Sequence, residues 1–178
     1  GLVIKAADGI WFDGCYFGGS ALADVLFLPN AADTQLTGVK LDNSWMDPVG
    51  VAGHAILISG GTTALYGLIT VSNCHISGGD SGLNGAYVNP SAGTTIVSLS
   101  LSNNVFLNFT SHGILVGGNG TVSTRGLSIN GNTLAAVNSI WMTSAGATVV
   151  TGANNSSTEN IRIKLRGTVK KHSEFRLH

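Results

Sequence analysis

The chain has 178 residues, enough for one domain with a sizeable core. Only 10% of them are charged, 25 are glycine and the formal net charge is zero, which argues against a nucleic-acid partner held through phosphate contacts. No apolar run approaches the ~20 residues of a membrane-spanning helix, so no membrane insertion is expected, and residues 1–4 (Gly-Leu-Val-Ile) already read as strand rather than as a signal peptide.

In chain order, Leu2 and Ile4 fit the inward positions of a strand that ends a coil, so at least one earlier coil is expected upstream. Five eight-residue segments then superimpose. They are residues 10–17 (Ile-Trp-Phe-Asp-Gly-Cys-Tyr-Phe), 39–46 (Val-Lys-Leu-Asp-Asn-Ser-Trp-Met), 69–76 (Ile-Thr-Val-Ser-Asn-Cys-His-Ile), 99–106 (Leu-Ser-Leu-Ser-Asn-Asn-Val-Phe) and 127–134 (Leu-Ser-Ile-Asn-Gly-Asn-Thr-Leu). Their starts lie 29, 30, 30 and 28 residues apart. A second segment follows each one: 24–28 (Asp-Val-Leu-Phe-Leu), 54–58 (His-Ala-Ile-Leu-Ile), 84–88 (Asn-Gly-Ala-Tyr-Val), 112–116 (His-Gly-Ile-Leu-Val) and 138–142 (Asn-Ser-Ile-Trp-Met). From the end of a second segment to the next first segment is 11 residues in all four cases. A fixed period of this size marks a solenoid. A partial sixth coil is expected at residues 161–164, after an Asn/Ser/Thr-rich loop over 153–160. Six of the nine Lys and Arg residues fall in the last 17 positions. The basic tail, 166–178, breaks the repeat and reads as a cap, an arm exchanged between subunits or an expression remnant.

Each segment alternates apolar and polar residues with period two, as a strand with one buried face does. Positions one and three point inward: Ile10, Val39, Ile69, Leu99 and Leu127, then Phe12, Leu41, Val71, Leu101 and Ile129. Position five is Gly14, Asn43, Asn73, Asn103 and Gly131, the residue types that best tolerate positive φ. This column predicts a left-handed bend that resets the alternation and turns positions six and eight inward. A helical solenoid would need a 3.6-residue apolar period, which is missing. The expected fold is therefore all-β: a right-handed, single-stranded parallel β-helix over residues 1–165 with about five full coils, the handedness following from the rule for parallel crossovers. Cys15 and Cys74 fall in one column two coils apart. At ~4.8 Å per strand they are too distant for a disulfide and are expected as buried free thiols.

The outward columns carry the functional signals. Trp11, Asp13 and Tyr16, then Lys40, Asp42 and Trp45, then Thr70, Ser72 and His75 present aromatics and charges, whereas later coils present small hydroxyls. Aromatic rings beside carboxylates suit sugars, the ring covering C–H faces while the carboxylate accepts hydroxyl hydrogen bonds. Trp11, Tyr16, Lys40, Trp45 and His75 are the candidate substrate-binding residues. Asp13 and Asp42 fall ~5 Å apart across one coil step, near the carboxyl separation of retaining glycosidases, and Asp47 is a third carboxylate nearby. A decorated, solvated surface is the competing reading. In the second segment the outward column is Phe27, Leu57, Tyr87, Leu115 and Trp141, an apolar stripe that soluble proteins rarely leave bare. Packing against copies of the chain near a threefold axis is expected, with cover by a loop or the tail as the alternative. The column Asp24, His54, Asn84, His112 and Asn138 fits hydrogen-bonded turns or, less simply, acid–base chemistry. No metal and no cofactor are expected. The triplets at 108–110 and 155–157 match the glycosylation pattern and read as incidental.

Residues 101–106 (Leu-Ser-Asn-Asn-Val-Phe) followed by 112–116 (His-Gly-Ile-Leu-Val) resemble the coils of the pectin-lyase-like superfamily. The looser style, with Ser/Thr/Asn/Gly turns and few charges, is similar to tailspikes and tail fibres of tailed bacteriophages. The resemblance implies a homotrimeric, extracellular, virion-attached protein that joins other tail proteins and binds, and often cleaves, bacterial surface polysaccharide. It also implies carboxylates as the cleaving groups, a role that only Asp13, Asp42 and Asp47 match here. The lyases of the superfamily use an acidic calcium cluster with a basic partner. Lys40 lies near two aspartates but no arginine joins it, which sets this chain apart from them. The expectations that follow are a tail receptor-binding segment with or without glycosidase activity, a structural trimeric shaft or capsid decoration, and a secreted polysaccharide-degrading enzyme.

Overall fold

In the computed structural model all five residues of the expected bend hold positive φ: Gly14 at 61°, Asn43 at 47°, Asn73 at 55°, Asn103 at 56° and Gly131 at 65°. The structure describes residues 1–29, 35–50, 53–60, 65–79, 81–90, 95–117, 123–124, 126–142, 146–147, 150–153, 155–157 and 162–163. Among these there are strands and turns but no helix. Every strand pair is parallel, and the strands stack as a β-solenoid of about four turns with ~29-residue coils.

Four strand ladders run along the stack, the fourth being the short run Thr95–Ile96, Ser123–Thr124 and Gly146–Ala147 that branches from Leu65–Ser72 at Leu65 and Tyr66. The first begins with Ala7–Asp13, Gln35–Asp42 and Leu65–Ser72 and continues through Leu99–Ser102, Leu127–Asn130 and Val150–Ala153. Beyond the bend, the second runs through Tyr16–Gly18, Trp45–Asp47 and His75–Ser77. The third runs through Leu2–Ile4, Ala23–Phe27, His54–Gly60 and Asn84–Pro90. In the later coils the second and third ladders fuse, because Val105–Val116 and Thr133–Met142 are continuous strands that pass through both. The sequence explains the fusion. Residues 47–53 separate Met46 from His54, but only 135–137 separate Leu134 from Asn138, too few for a corner. In the fourth coil the bend survives as a register irregularity between Leu107 and His112, with Asn108 at a φ of 60°.

The inward columns form the core. Val39, Ile69, Leu99, Leu127, Leu41, Val71, Leu101, Met46, Ile76, Phe106 and Leu134 are all essentially inaccessible to solvent. At ~25 cal/mol per Å² of apolar surface, each such side chain contributes about 1.5–3 kcal/mol relative to leaving it exposed. Leu2 and Ile4 pair with Val25 and Phe27 and face the core, as expected. In the first coil the inward residues are less covered: Ile10 is 37% exposed and Phe12 and Phe17 are half-buried. Strand Ala7–Asp13 pairs on one side only among the described residues, and no described strand covers that layer. Phe12 and Phe17 instead meet edge to face with centroids 6.0 Å apart.

Position six of the repeat holds a polar ladder inside the stack. Cys15 N–H donates to Ser44 Oγ, and Ser44 Oγ–H donates to the Asp42 carbonyl. Cys74 N–H donates to Asn104 Oδ1, Asn104 N–H to Asn132 Oδ1, and Asn132 N–H to Asn155 Oδ1, each at 3.0 Å. The amide groups of Asn104, Asn132 and Asn155 donate in turn to the carbonyls of Val71, Leu101 and Ile129. Buried polar groups are tolerated only when paired, and here each side chain supplies the groups that the bend leaves without a ladder partner. Both thiols are free, as expected; Cys74 is buried but Cys15 is only half-buried. Burial pushes the Cys74 thiol pKa up.

Three expectations are corrected. Ala23, not Asp24, pairs with His54, and Phe27 pairs with Ile58. Phe27 is therefore fully buried in the core and does not belong to the outward stripe; Leu26, opposite Leu57, takes that place. The first coil carries one more residue between Phe27 and Val39 than the constant spacing allows. The sixth coil begins at Val150, opposite Leu127, only 23 residues on, and the presumed loop contains Ser156–Ser157, which pairs with Thr133 and Leu134. Arg162 and Ile163 close that coil opposite Trp141 and Met142 rather than opening it. The basic tail over 166–178 lies outside the described residues.

Candidate functional site

The expected outward columns are present in register. Trp11, Lys40 and Thr70 are aligned, as are Asp13, Asp42 and Ser72, and Tyr16, Trp45 and His75. The bend at Gly14, Asn43 and Asn73 folds the third of these columns beside the other two. Seven of the eight charged and aromatic candidates, all but Asp47, thus border one corner of the solenoid.

Asp42 is the most constrained of them. Lys40 Nζ lies 2.7 Å from Asp42 Oδ2, while Ser72 Oγ–H and Asn73 Nδ2–H both donate to Oδ1 at 2.9 Å. The hydrogen bond from Lys40, then those from Ser72 and Asn73, pull the Asp42 carboxyl down to a pKa of about 2. Lys40 Nζ also sits 4.5 Å from the Trp11 ring centroid, a cation–π distance. Its charge is spent twice within the protein. Asp13 is exposed, and its carboxylate makes no hydrogen bond or ion pair among the described residues.

In the third column, Trp45 and His75 stack with centroids 4.0 Å apart and planes tilted by 31°. Tyr16 does not join the stack: its ring lies over Gly18, where a Cβ would fall 2.5 Å from the phenol oxygen. The His75-facing side of the indole is occupied, and the other side looks toward Tyr16. A depression of about 290 Å³ opens there, lined by Gly14, Cys15, Tyr16, Asn43, Ser44, Trp45, Asn73 and His75. Tyr16 and Trp45 remain 66% and 46% exposed, and Trp11 65%.

As chemistry, this corner can stack an apolar ring face on Trp45 and offer hydroxyl, amide and carboxylate partners around it. It is poorly arranged for cleavage. A glycosidase pair needs one carboxyl kept out of water to deliver a proton. Asp13 is exposed, Asp42 is locked in its ionised form, and no hydrogen bond or ion pair joins Asp47 to either among the described residues. Asp47 lies at the far end of its strand, opposite Gly18. No group of three or more His, Cys, Asp or Glu that could hold a metal occurs among the described residues.

The histidine column is a hydrogen-bonded ladder. Asn84 Nδ2–H donates to His54 Nδ1 at 3.2 Å, and Asn84 Oδ1 accepts from His112 Nδ1 at 3.0 Å. One amide between two rings assigns both tautomers: His54 accepts at Nδ1, while His112 carries its proton there. Ser111 Oγ, 2.7 Å from the same His112 nitrogen, is then a second acceptor. His54 also meets the Tyr87 ring and His112 the Trp141 ring edge to face. These contacts help to cover the apolar stripe: Leu57 is only 8% exposed, and Leu26, Tyr87, Leu115 and Trp141 are half-buried. Asp24, shifted out of the column, is wholly buried. Ser20 N–H donates to its Oδ1, and Oδ2 has no hydrogen-bond partner among the described residues.

Sequence reasoning identified the columns but missed the amide ladder and the locking of Asp42. The side chain of Asn at position six gave a signal, since a polar residue at an inward position must be paired. Compared with protein-family models, with curated proteins and with solved structures, the chain matches none.

Proposed function

We propose that this β-solenoid binds polysaccharide at the corner formed by Trp11, Tyr16, Lys40, Asp42, Trp45 and His75, and that it does not cleave it. The free face of Trp45, beside a depression rimmed by hydroxyl and amide groups, carries the reading. Exposed aromatic rings held by strand pairing are costly to leave in water without a ligand. The style of the repeat supports a setting in a bacteriophage tailspike or tail fibre, with a bacterial surface glycan as partner. Trp45→Ala should abolish retention on polysaccharide in affinity electrophoresis while leaving the solenoid folded. Unchanged retention would move the reading to a structural shaft, and release of new reducing ends by the parent protein would restore the enzymatic one.

Self-association along Leu26, Leu57, Tyr87, Leu115 and Trp141 belongs to the same proposal. The stripe runs the length of the third ladder and is continued by Val3, opposite Leu26 and 51% exposed. Light scattering across a concentration range should give three times the chain mass, and Leu115→Asp should reduce it to the monomer. A parent protein that is monomeric throughout would remove the trimer from the reading.

A further inference from the structure

We infer that the corner at Trp45 selects uncharged sugars and excludes acidic ones; this rests on the polysaccharide-binding reading above. The argument is one of charge left over after the protein has satisfied itself. The strands Ala7–Asp13, Gln35–Asp42 and Trp45–Asp47 carry four carboxylates, Asp8, Asp13, Asp42 and Asp47, and a single cation, Lys40. That cation is not available to a ligand. Its Nζ lies 2.7 Å from Asp42 Oδ2 and over the Trp11 ring, and drawing it toward a uronate or sialate would strip Asp42 of one of its three partners.

The uncompensated groups on this face are acids. Asp13 stands next to Asp42 in the register and is exposed; Asp8, two strand positions before Ile10, has among the described residues only the Thr37 hydroxyl at 3.4 Å. A sugar ring laid on the free indole face between Trp45 and Tyr16 meets the exposed amides of Asn43 and Asn73 and, at the rim, the Asp13 carboxylate. Neutral hydroxyls can donate to all of these acceptors. A carboxylate on the sugar would face like charge with no bidentate cation to receive it, the arrangement by which a site rejects a competing ligand. Cys15, Tyr16 and His75 also line the depression, so neutral and acidic ligands are compared at one fixed pH.

The test is affinity electrophoresis of the full chain against a panel of neutral and acidic bacterial polysaccharides at pH 8 and ~10 mM salt, where the screening length is ~30 Å. Neutral members of the panel should retard the protein, and acidic ones should bind about tenfold more weakly or not at all. Asp13→Lys, a change at an exposed side chain, should raise retention by the acidic polysaccharides. Equal or tighter retention by acidic members in the parent protein overturns the selectivity but leaves the binding reading standing. Retention by neither class overturns the binding reading and the selectivity together.

Discussion

Asn104 and Asn132 are bonded twice inside the solenoid: the Oδ1 of Asn132 accepts both the backbone N–H and the side-chain amide of Asn104, at 3.0 and 3.1 Å. The two residues are 1% and 0% exposed. No water can replace either bond, so each one lost leaves a buried polar group unpaired.

Replacing Asn132 by Leu should therefore destabilise strongly even though it adds apolar surface. It strands Asn104 N–H and the Leu101 carbonyl, at about 1–3 kcal/mol each. Urea denaturation should show a loss of about 2–5 kcal/mol. A variant within 0.5 kcal/mol of the parent, on the order of the scatter of surface substitutions, would mean that the ladder is dispensable.

The bend column gives a second prediction. Asn73 combines a φ of 55° with a hydrogen bond to Asp42. Asn73→Val forces a β-branched residue into the left-handed region and should cost about 1–3 kcal/mol, whereas Asn73→Gly should cost less. The converse holds at Leu68, which has a φ of 54° while 69% exposed. Leu68→Asn should raise the denaturation midpoint, since a residue at ease in this conformation replaces one that pays roughly 1–2 kcal/mol for it.

Acid should weaken the fold in two windows. Burial lowers the pKa of both His54 and His112, so the folded chain binds fewer protons than the unfolded one once the pH drops below ~6.5. Their contribution is complete above that pH and falls away below it, as protonation of His54 Nδ1 sets a donor against the Asn84 amide. Asp42, held at about 2, acts lower: its contribution is present above ~4 and is lost as the pH falls toward 2. Denaturation midpoints from pH 8 to pH 2 should decline in both windows. Lys40→Met, which removes the largest cause of the Asp42 shift, should flatten the lower one.

Asp24 has the opposite sign. Burial raises its pKa, so the folded state favours the protonated acid and the ionised form costs stability at neutral pH. Asp24→Asn should stabilise the protein at pH 7, by an amount that shrinks as the pH approaches 4. A destabilised Asp24→Asn at pH 7 would show that the charge is needed.

Much of this fold was legible in the residues themselves. The period, the inward columns and the five left-handed bends could all be read because each depends on residue type at a fixed spacing. The misreading of Phe27 arose where that spacing was interrupted. In residues 24–28 (Asp-Val-Leu-Phe-Leu) two registers place an apolar residue outward, and only the pairing of Val25 with Ile56 chooses between them. The second left-handed column, Gly9, Gly38 and Leu68, announces itself twice as glycine and then hides behind a leucine. At the site, the columns fixed which residues are neighbours, but not that Lys40 turns back onto Asp42. That choice is made by side-chain rotamers, which a strand pattern does not encode.

The polar rungs differ along the stack, and with them the order in which the coils should part. Ser44 returns its hydroxyl proton to its own strand at Asp42, whereas Asn104, Asn132 and Asn155 each reach back to a carbonyl of the preceding coil. Coils that touch only their neighbours separate one at a time. Under load or in mild denaturant the first two coils should peel away while the amide-stitched remainder holds, and hydrogen exchange would see the amides of Val39 and Leu41 open before those of Leu101 and Ile129.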